Sequence, residues 1–329
     1  MSAVLVFAAL AFGIHQYRVR VVVEPNYPIA VSRGEVVVDV ATGASGSEIA
    51  ALLFKLDVVK SAQAFFRVAV GDPRSAQIAP GSHLISTQIP AREALGQLLD
   101  KKRLTSLVKV VEGAWVTEVF AELQRVGFSS SALYAALPKV ILPPGFSGSE
   151  GLLFPAQYSF AKGTSALFAL QEMADQFTLA AKVSGIYRPS QEFSEMQLLT
   201  IASLLQAEGN VEDFSKISRV VRNRLNLGMP LQFDSTVHYV TRTRGKVFLS
   251  INATMTPSLY NTYLHNGLPP GPIGNPGLAA MQAALTPSVG DWIFFITVKP
   301  GDTRFTASAN QFLKWKAEYE INLRAGAFS

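Results

Sequence analysis

Three helical patterns follow one another between residues 168 and 228 with no strand between them: FALQEMADQFTLAAK, EMQLLTIASLLQAE and DFSKISRVVRNRLNLG. Strand-like runs lie outside this block. Helices and strands segregated in this way exclude the strict alternation of a doubly wound sheet and predict an α+β fold of mixed helices and strands. In the middle helix Leu198, Ile201, Ala202 and Leu205 recur at the three-and-four spacing of a buried stripe, and Glu208 takes the next position on it. Gly209 predicts a left-handed helix stop, which puts the Glu208 carboxyl in the last turn, near the negative end of the helix dipole. Apolar neighbours and that dipole both disfavour ionisation and suit a general acid. A carboxyl at a fraying, exposed helix end fits the same periodicity. The third helix buries Phe214, Ile217, Val221 and Leu225, with Asp213 as its cap and Gly228 as its stop.

The 329 residues give a prior of two domains, and 49% hydrophobic content is enough to fill them. Residues 35–86 read as strand (EVVVDV), helix (EIAALLFKL, with Ser47 as N-cap), helix (AQAFFRVAV) and returning strand (APGSHLIS). Residues 87–148 form a connecting α/β region, with helices at REALGQLL, WVTEVFAEL and SALYAALP and a strand at LVKVVEG. The Pro/Gly/Ser stretch LPPGFSGSEG, 142–151, marks the start of a second domain over 149–329. Beyond Gly228 the chain reads as irregular up to the strand DWIFFITV and the closing helix NQFLKWKAEYEINLRA. Its loop GLPPGPIGNPG, 267–277, is stiffened by proline and has no lysine to follow, so it is a rigid loop, either the wall of a cleft or purely structural, and not a phosphate cradle.

At the N-terminus an uncharged apolar run, Ser2 to Ile14, is followed by His15, Arg18 and Arg20. It falls short of the roughly 20 residues that cross a bilayer. Positive charge after the run is the wrong order for a signal peptide. Residues 1–20 are expected to be the surviving end of a truncated membrane anchor, in preference to a buried element.

The net charge of +5 suits an anionic partner, but the basic clusters DKKR and TRTRGK lack interleaved aromatics, so no nucleic acid is expected. The absence of cysteine excludes disulfides and thiolate metal sites. The four histidines include no pair at ligand spacing, and neither a metal nor a cofactor is expected. HExxH, GxxxxGK[ST], GxSxG and CxxC are all missing.

The runs IASLLQAEG, NRLNLGMPLQFDSTVHY (223–239) and TPSLYNTYLHNGLPPGPIGNPG (256–277), with VVEG (110–113) and EGLLFPAQY (150–158), together resemble the MltG-type (YceG-like) endolytic murein transglycosylases from about residue 35 onward. The strand-helix-helix-strand unit at 35–86 resembles the LysM module, which grips chains of N-acetylglucosamine. The resemblance implies that Glu208 is the catalytic acid. It implies cleavage of the MurNAc-GlcNAc linkage of peptidoglycan glycan strands with formation of 1,6-anhydro-MurNAc ends. Candidate sugar-binding residues are Ser203, Gln232, Asp234, Thr236, Tyr239, Tyr260, Asn261 and Tyr263. It also implies a single-pass cell-membrane protein whose catalytic domain faces the wall, beside peptidoglycan synthases. Three positions depart from the family pattern: Gln206 for a glutamate, Ala156 for an aspartate and Thr303 for a histidine. They motivate an alternative, a non-catalytic peptidoglycan-binding scaffold. A third reading is a water-using glycosidase with Asp234 or Asp213 as second carboxylate.

Overall fold

The computed structural model describes residues 24–29, 34–187, 192–244 and 250–328. The apolar run expected to be an anchor lies outside them, and no helix among the described residues is long and apolar enough to cross a membrane. The chain divides into two compact units: residues up to Leu107 with Ser159–Gly163, and Val108–Tyr158 with Thr164–Ser329.

In the first unit β1 (Glu35–Val40) pairs antiparallel with β2 (Gly81–Ser86), Glu35 opposite Ser86 and Val40 opposite Gly81. Between them run α1 (Gly46–Lys55) and α2 (Ala62–Gly71), and α3 (Ala91–Leu99) follows. The cap of α1 is Ser45 and not Ser47: its hydroxyl accepts the Glu48 N–H while the Glu48 carboxylate accepts the Ser45 N–H. This reciprocal box needs a glutamate three residues on, which only Ser45 has. Val38, Leu53, Phe65, Ile85 and Leu95 fill the core.

The second unit begins with the rest of β3 (Leu107–Lys109), then α4 (Val116–Arg125) and α5 (Ser130–Ala136). After β4 (Gln157–Ser159) come α6 (Ala166–Ser184), α7 (Glu195–Glu208), α8 (Phe214–Asn226), α9 (Asp234–Thr241), α10 (Ile251–Thr254) and α11 (Leu278–Leu285). An antiparallel hairpin, β5 (Phe294–Lys299) and β6 (Asp302–Thr306), leads to α12 (Ala309–Arg324). The fold is mixed α+β. The Pro/Gly/Ser stretch 142–151 lies inside this unit, because Phe146 inserts edge-on against Phe177 and Tyr187 at 5.0 and 5.7 Å.

Two expectations change here. The region from Gly228 to β5 is not uniformly irregular, since it contains α9, α10 and α11. These helices run to at most eight residues, below the length at which a helix stands on its own propensity, so packing and not local pattern forms them. The helix α7 buries all of Leu198 to Leu205 and not a single stripe. Ala280, Met281 and Ala284 of α11 close a side that the periodicity leaves open, the two alanines allowing close approach.

Candidate active site

The acid stands where two helices meet end to end. Ser194 starts α7 with a capping box to Gln197, and eight buried residues anchor the helix before it stops at Glu208. Gly209 is extended (φ −156°), not left-handed as expected. Glycine leaves room there for the tip of Ile217, since a Cβ would lie 2.3 Å from Ile217 Cδ1 and push that flexible side chain aside. Asp213 occupies the N-cap position of α8, but its side chain makes no capping hydrogen bond.

Glu208 Oε1 accepts the Ser235 N–H at 3.3 Å and is hydrogen-bonded by the Ser235 hydroxyl. Ser235 lies in the first turn of α9, so the carboxyl sits between the negative end of α7 and the positive end of α9. Burial pushes its pKa up to about 7; the Asp234 carboxylate adds to this, while the Ser235 bonds and the Arg224 guanidinium oppose it. Arg224 is buried and donates to the carbonyls of Leu231 and Ile293. Sequence reading missed both Ser235 and Arg224. The three consecutive polar residues of FDSTV show no helical period and hide a short helix, and Arg224 reads as an ordinary basic residue on a helix flank.

Of the predicted sugar-binding residues, three are committed to the fold. Ser203, buried, accepts the Ile273 N–H at 3.1 Å and donates to Thr200 O at 2.7 Å. Thr236 bonds Thr262 across 3.0 Å. Asn261 donates to the carbonyls of Thr254 and Thr256 at 2.9 and 2.8 Å. The others retain surface. Gln232 is exposed on a left-handed backbone (φ 50°). Asp234 accepts the Tyr263 hydroxyl. Tyr239 packs on Tyr260, with ring centroids 5.1 Å apart, and lies edge-on to Trp115 at 5.9 Å.

The proline loop is an interior strap and not simply a cleft wall, for Gly271 to Gly277 are buried. Asn275 fixes it, accepting the Leu153 N–H at 2.9 Å and donating to Ala114 O at 2.7 Å. At Gly274 a Cβ would lie 2.6 Å from the Gly113 carbonyl oxygen. Gln206, one of the departures, accepts the Gly277 N–H at 3.0 Å. A cleft of about 690 Å³ opens beside the end of α7, lined by Gln206, Gly209, Asn210, Asp213, Lys216 and Thr303. Among the described residues no group of three or more His, Cys, Asp or Glu is placed to hold a metal ion.

A second carboxyl that the sequence reading did not select is Glu150. It accepts the Val116 N–H at 3.0 Å and the Tyr239 hydroxyl at 3.2 Å, and burial pushes it, too, up to about 7.

The model of the YceG-like family matches residues 38–318, nearly the whole length of both units. The chain belongs to the YceG-like family. It is 30% identical over 319 residues to the endolytic murein transglycosylase of Bacillus subtilis, covering 88% of this chain and 86% of that protein. The endolytic murein transglycosylase of Streptococcus pneumoniae is 35% identical over 192 residues, 54% of this chain and 34% of that longer protein. Among solved structures, a yceG-like protein from Listeria monocytogenes superposes with a TM-score of 0.56 at 25% identity, over 86% of this chain and 99% of that one. The family match thus extends over the helical scaffold that holds Glu208 as well as over the N-terminal unit.

Proposed function

We propose that this YceG-like chain is an endolytic lytic transglycosylase, cutting the MurNAc-GlcNAc linkage of peptidoglycan. The observation that carries the reading is the Glu208 carboxyl itself: fixed at the end of a buried helix, bonded on one oxygen only by Ser235, and held near neutrality. With Oε1 occupied by Ser235, Oε2 carries the transferable proton. Protonated Glu208 donates it to the glycosidic oxygen as the C1–O bond breaks and an oxocarbenium-like centre develops. The carboxylate so formed takes the proton of the same muramic residue's C6 hydroxyl, whose oxygen bonds to C1 and closes the 1,6-anhydro ring. The attacking group is intramolecular, so no second carboxylate is needed to activate water. Asp234 is engaged by Tyr263, which favours a role in orienting α9 over one as a water-activating base.

The remaining expectations extend this reading. The first unit is a LysM-like glycan-binding module, supported by its strand-helix-helix-strand order and a cleft of about 480 Å³ between the β1–α1 turn and the segment before β2, lined by Ala41, Gly46, Phe66, Val70 and Ile78. The catalytic domain follows it toward the C-terminus. A single-pass anchor holding the chain at the cell membrane, with the catalytic domain facing the wall beside peptidoglycan synthases, rests on the apolar run Ser2 to Ile14. The deciding experiment is digestion of isolated sacculi: the parent releases anhydro-muropeptides and Glu208→Gln releases ~10²–10⁴-fold less while keeping the parent's fold by circular dichroism. Reducing ends, or unchanged release by the variant, would sink the proposal.

A further inference from the structure

The reaction as derived makes no use of Glu150, although it is the other carboxyl of this unit held near neutrality. Its Oε1 accepts the Val116 N–H at the start of α4, and its Oε2 faces the Tyr239 hydroxyl. A backbone N–H is a donor at every pH, so a proton on this carboxyl belongs on Oε2. Tyr239 is therefore the group that registers the charge. An ionised Glu150 takes the phenol proton as an acceptor and leaves Tyr239 only lone pairs to present. A protonated Glu150 donates to the phenol oxygen and frees the phenol O–H to donate elsewhere.

The place of Tyr239 gives this consequence. It lies four residues after Ser235 on α9, so the residue bonded to Glu208 and the residue bonded to Glu150 share one helix face, about one turn apart. Its half-buried ring packs on Tyr260 and edge-on to the buried Trp115, with the Arg242 guanidinium 4.5 Å over its face. A tyrosine held in this way has its polar tip, and not an open ring face, to offer a sugar substituent.

We propose that Glu150 is a positioning residue that sets the hydrogen-bond polarity Tyr239 presents to the glycan, donor when Glu150 is protonated and acceptor when it is ionised. The identity of the glycan rests on the transglycosylase reading; the direction of the hydrogen bond does not. The acetamido carbonyl of an N-acetylated sugar only accepts, so the donor form is the binding form. The groups facing Glu150 are Tyr239 from α9, Arg242 just after it, Glu118 from α4 and Tyr260 ahead of the proline loop. Burial outweighs the Val116 and Tyr239 bonds and the Arg242 charge, with Glu118 acting in the same direction as burial, so the carboxyl changes state at about 7. Glycan binding accordingly weakens as the pH rises through that value.

Binding is measured in the Glu208→Gln background, where turnover plays no part, by titrating soluble uncrosslinked glycan strands at pH 5.5 and 8.5. With Glu150 present, Kd rises about fivefold to tenfold between the two, the worth of one neutral hydrogen bond. With Glu150→Gln added the change falls below about twofold, because the amide nitrogen remains a donor to Tyr239 at both pH values. Tyr239→Phe binds at the weak level throughout. In the chain with Glu208 intact, Glu150→Gln flattens the pH dependence of KM and leaves the kcat limb of Glu208 in place. A pH dependence of binding that survives Glu150→Gln, a Tyr239→Phe variant indistinguishable from its parent, or no binding at pH 5.5 overturns the proposal. Strands cut to reducing ends would instead overturn the transglycosylase reading and leave the binding result standing.

Discussion

Glu150–Gly151 and Glu208–Gly209 are the same dipeptide in two settings. Burial drives both carboxyls up to about 7. Glu208 ends a 14-residue helix and meets the first turn of α9, whereas Glu150 lies in a loop, caps the start of α4 and holds a tyrosine. The glycines differ as well. Gly209 is extended and faces the tip of a flexible isoleucine, while Gly151 is left-handed (φ +86°) and faces the ring of Pro272, which a Cβ would approach to 2.7 Å. Burial therefore sets how firmly each carboxyl holds its proton, and the partner sets what the proton can do: on the proposed reading one carboxyl keeps an oxygen for a substrate and the other passes its state to a neighbour.

The comparison breaks most readily on turnover. Glu208→Gln lowers anhydro-muropeptide release by ~10²–10⁴-fold, the range of a lost general acid. Glu150→Gln changes kcat/KM by about tenfold or less, the scale of one hydrogen bond. Equal losses, read by mass spectrometry of digested sacculi, would mean that the two carboxyls are not distinct in role. The glycines come next. Gly151→Ala combines backbone strain with a clash against a rigid ring and costs ~2–4 kcal/mol, against ~1–2 kcal/mol for Gly209→Ala, in urea denaturation.

A third test concerns stability against pH. Both carboxyls have folded pKa values raised above that of the unfolded chain, so the native state holds protons that the unfolded state has released. Their contribution is fully present below about 4.5 and is lost as the pH rises through about 7. Glu208→Gln removes that loss. It is more stable than the parent at pH 8 by ~1–3 kcal/mol, discounted for partial exposure, with the gap closing near pH 4.5. A gap that widens at acid pH contradicts the assignment. The smallest effect separates the two partners: Ser235→Ala removes a bond that favours ionised Glu208, so the alkaline limb of kcat moves to higher pH while the binding limb set by Glu150 stays where it is.

Much of the helical framework was legible in the chain. The run EMQLLTIASLLQAE gives α7 with its observed bounds, Glu195–Glu208, because an uninterrupted apolar period ends at a glycine. The strand-helix-helix-strand order of residues 35–86 was legible for the same kind of reason, each element being long enough to carry its own period. The handedness of Gly209 was not. Glycine serves a left-handed stop and a close approach equally well, and the choice was made by Ile217 from the next helix. The candidate site was half visible: Glu208 stood out as a carboxyl on an apolar stripe, while Glu150, in a Gly-rich loop with no period, carried no local mark.

What the sequence determined by itself was the placement of an acid at the end of a helix made to be buried, since local spacing dictates which side chains share a face. Only the tertiary structure decided what meets that acid and its counterpart. Ser235 is 27 residues from Glu208 and Tyr239 is 89 from Glu150. Local periodicity extends over a few turns of helix, and contacts across such separations are fixed by how the buried faces of α7, α8 and α11 pack, which no stretch of a dozen residues records.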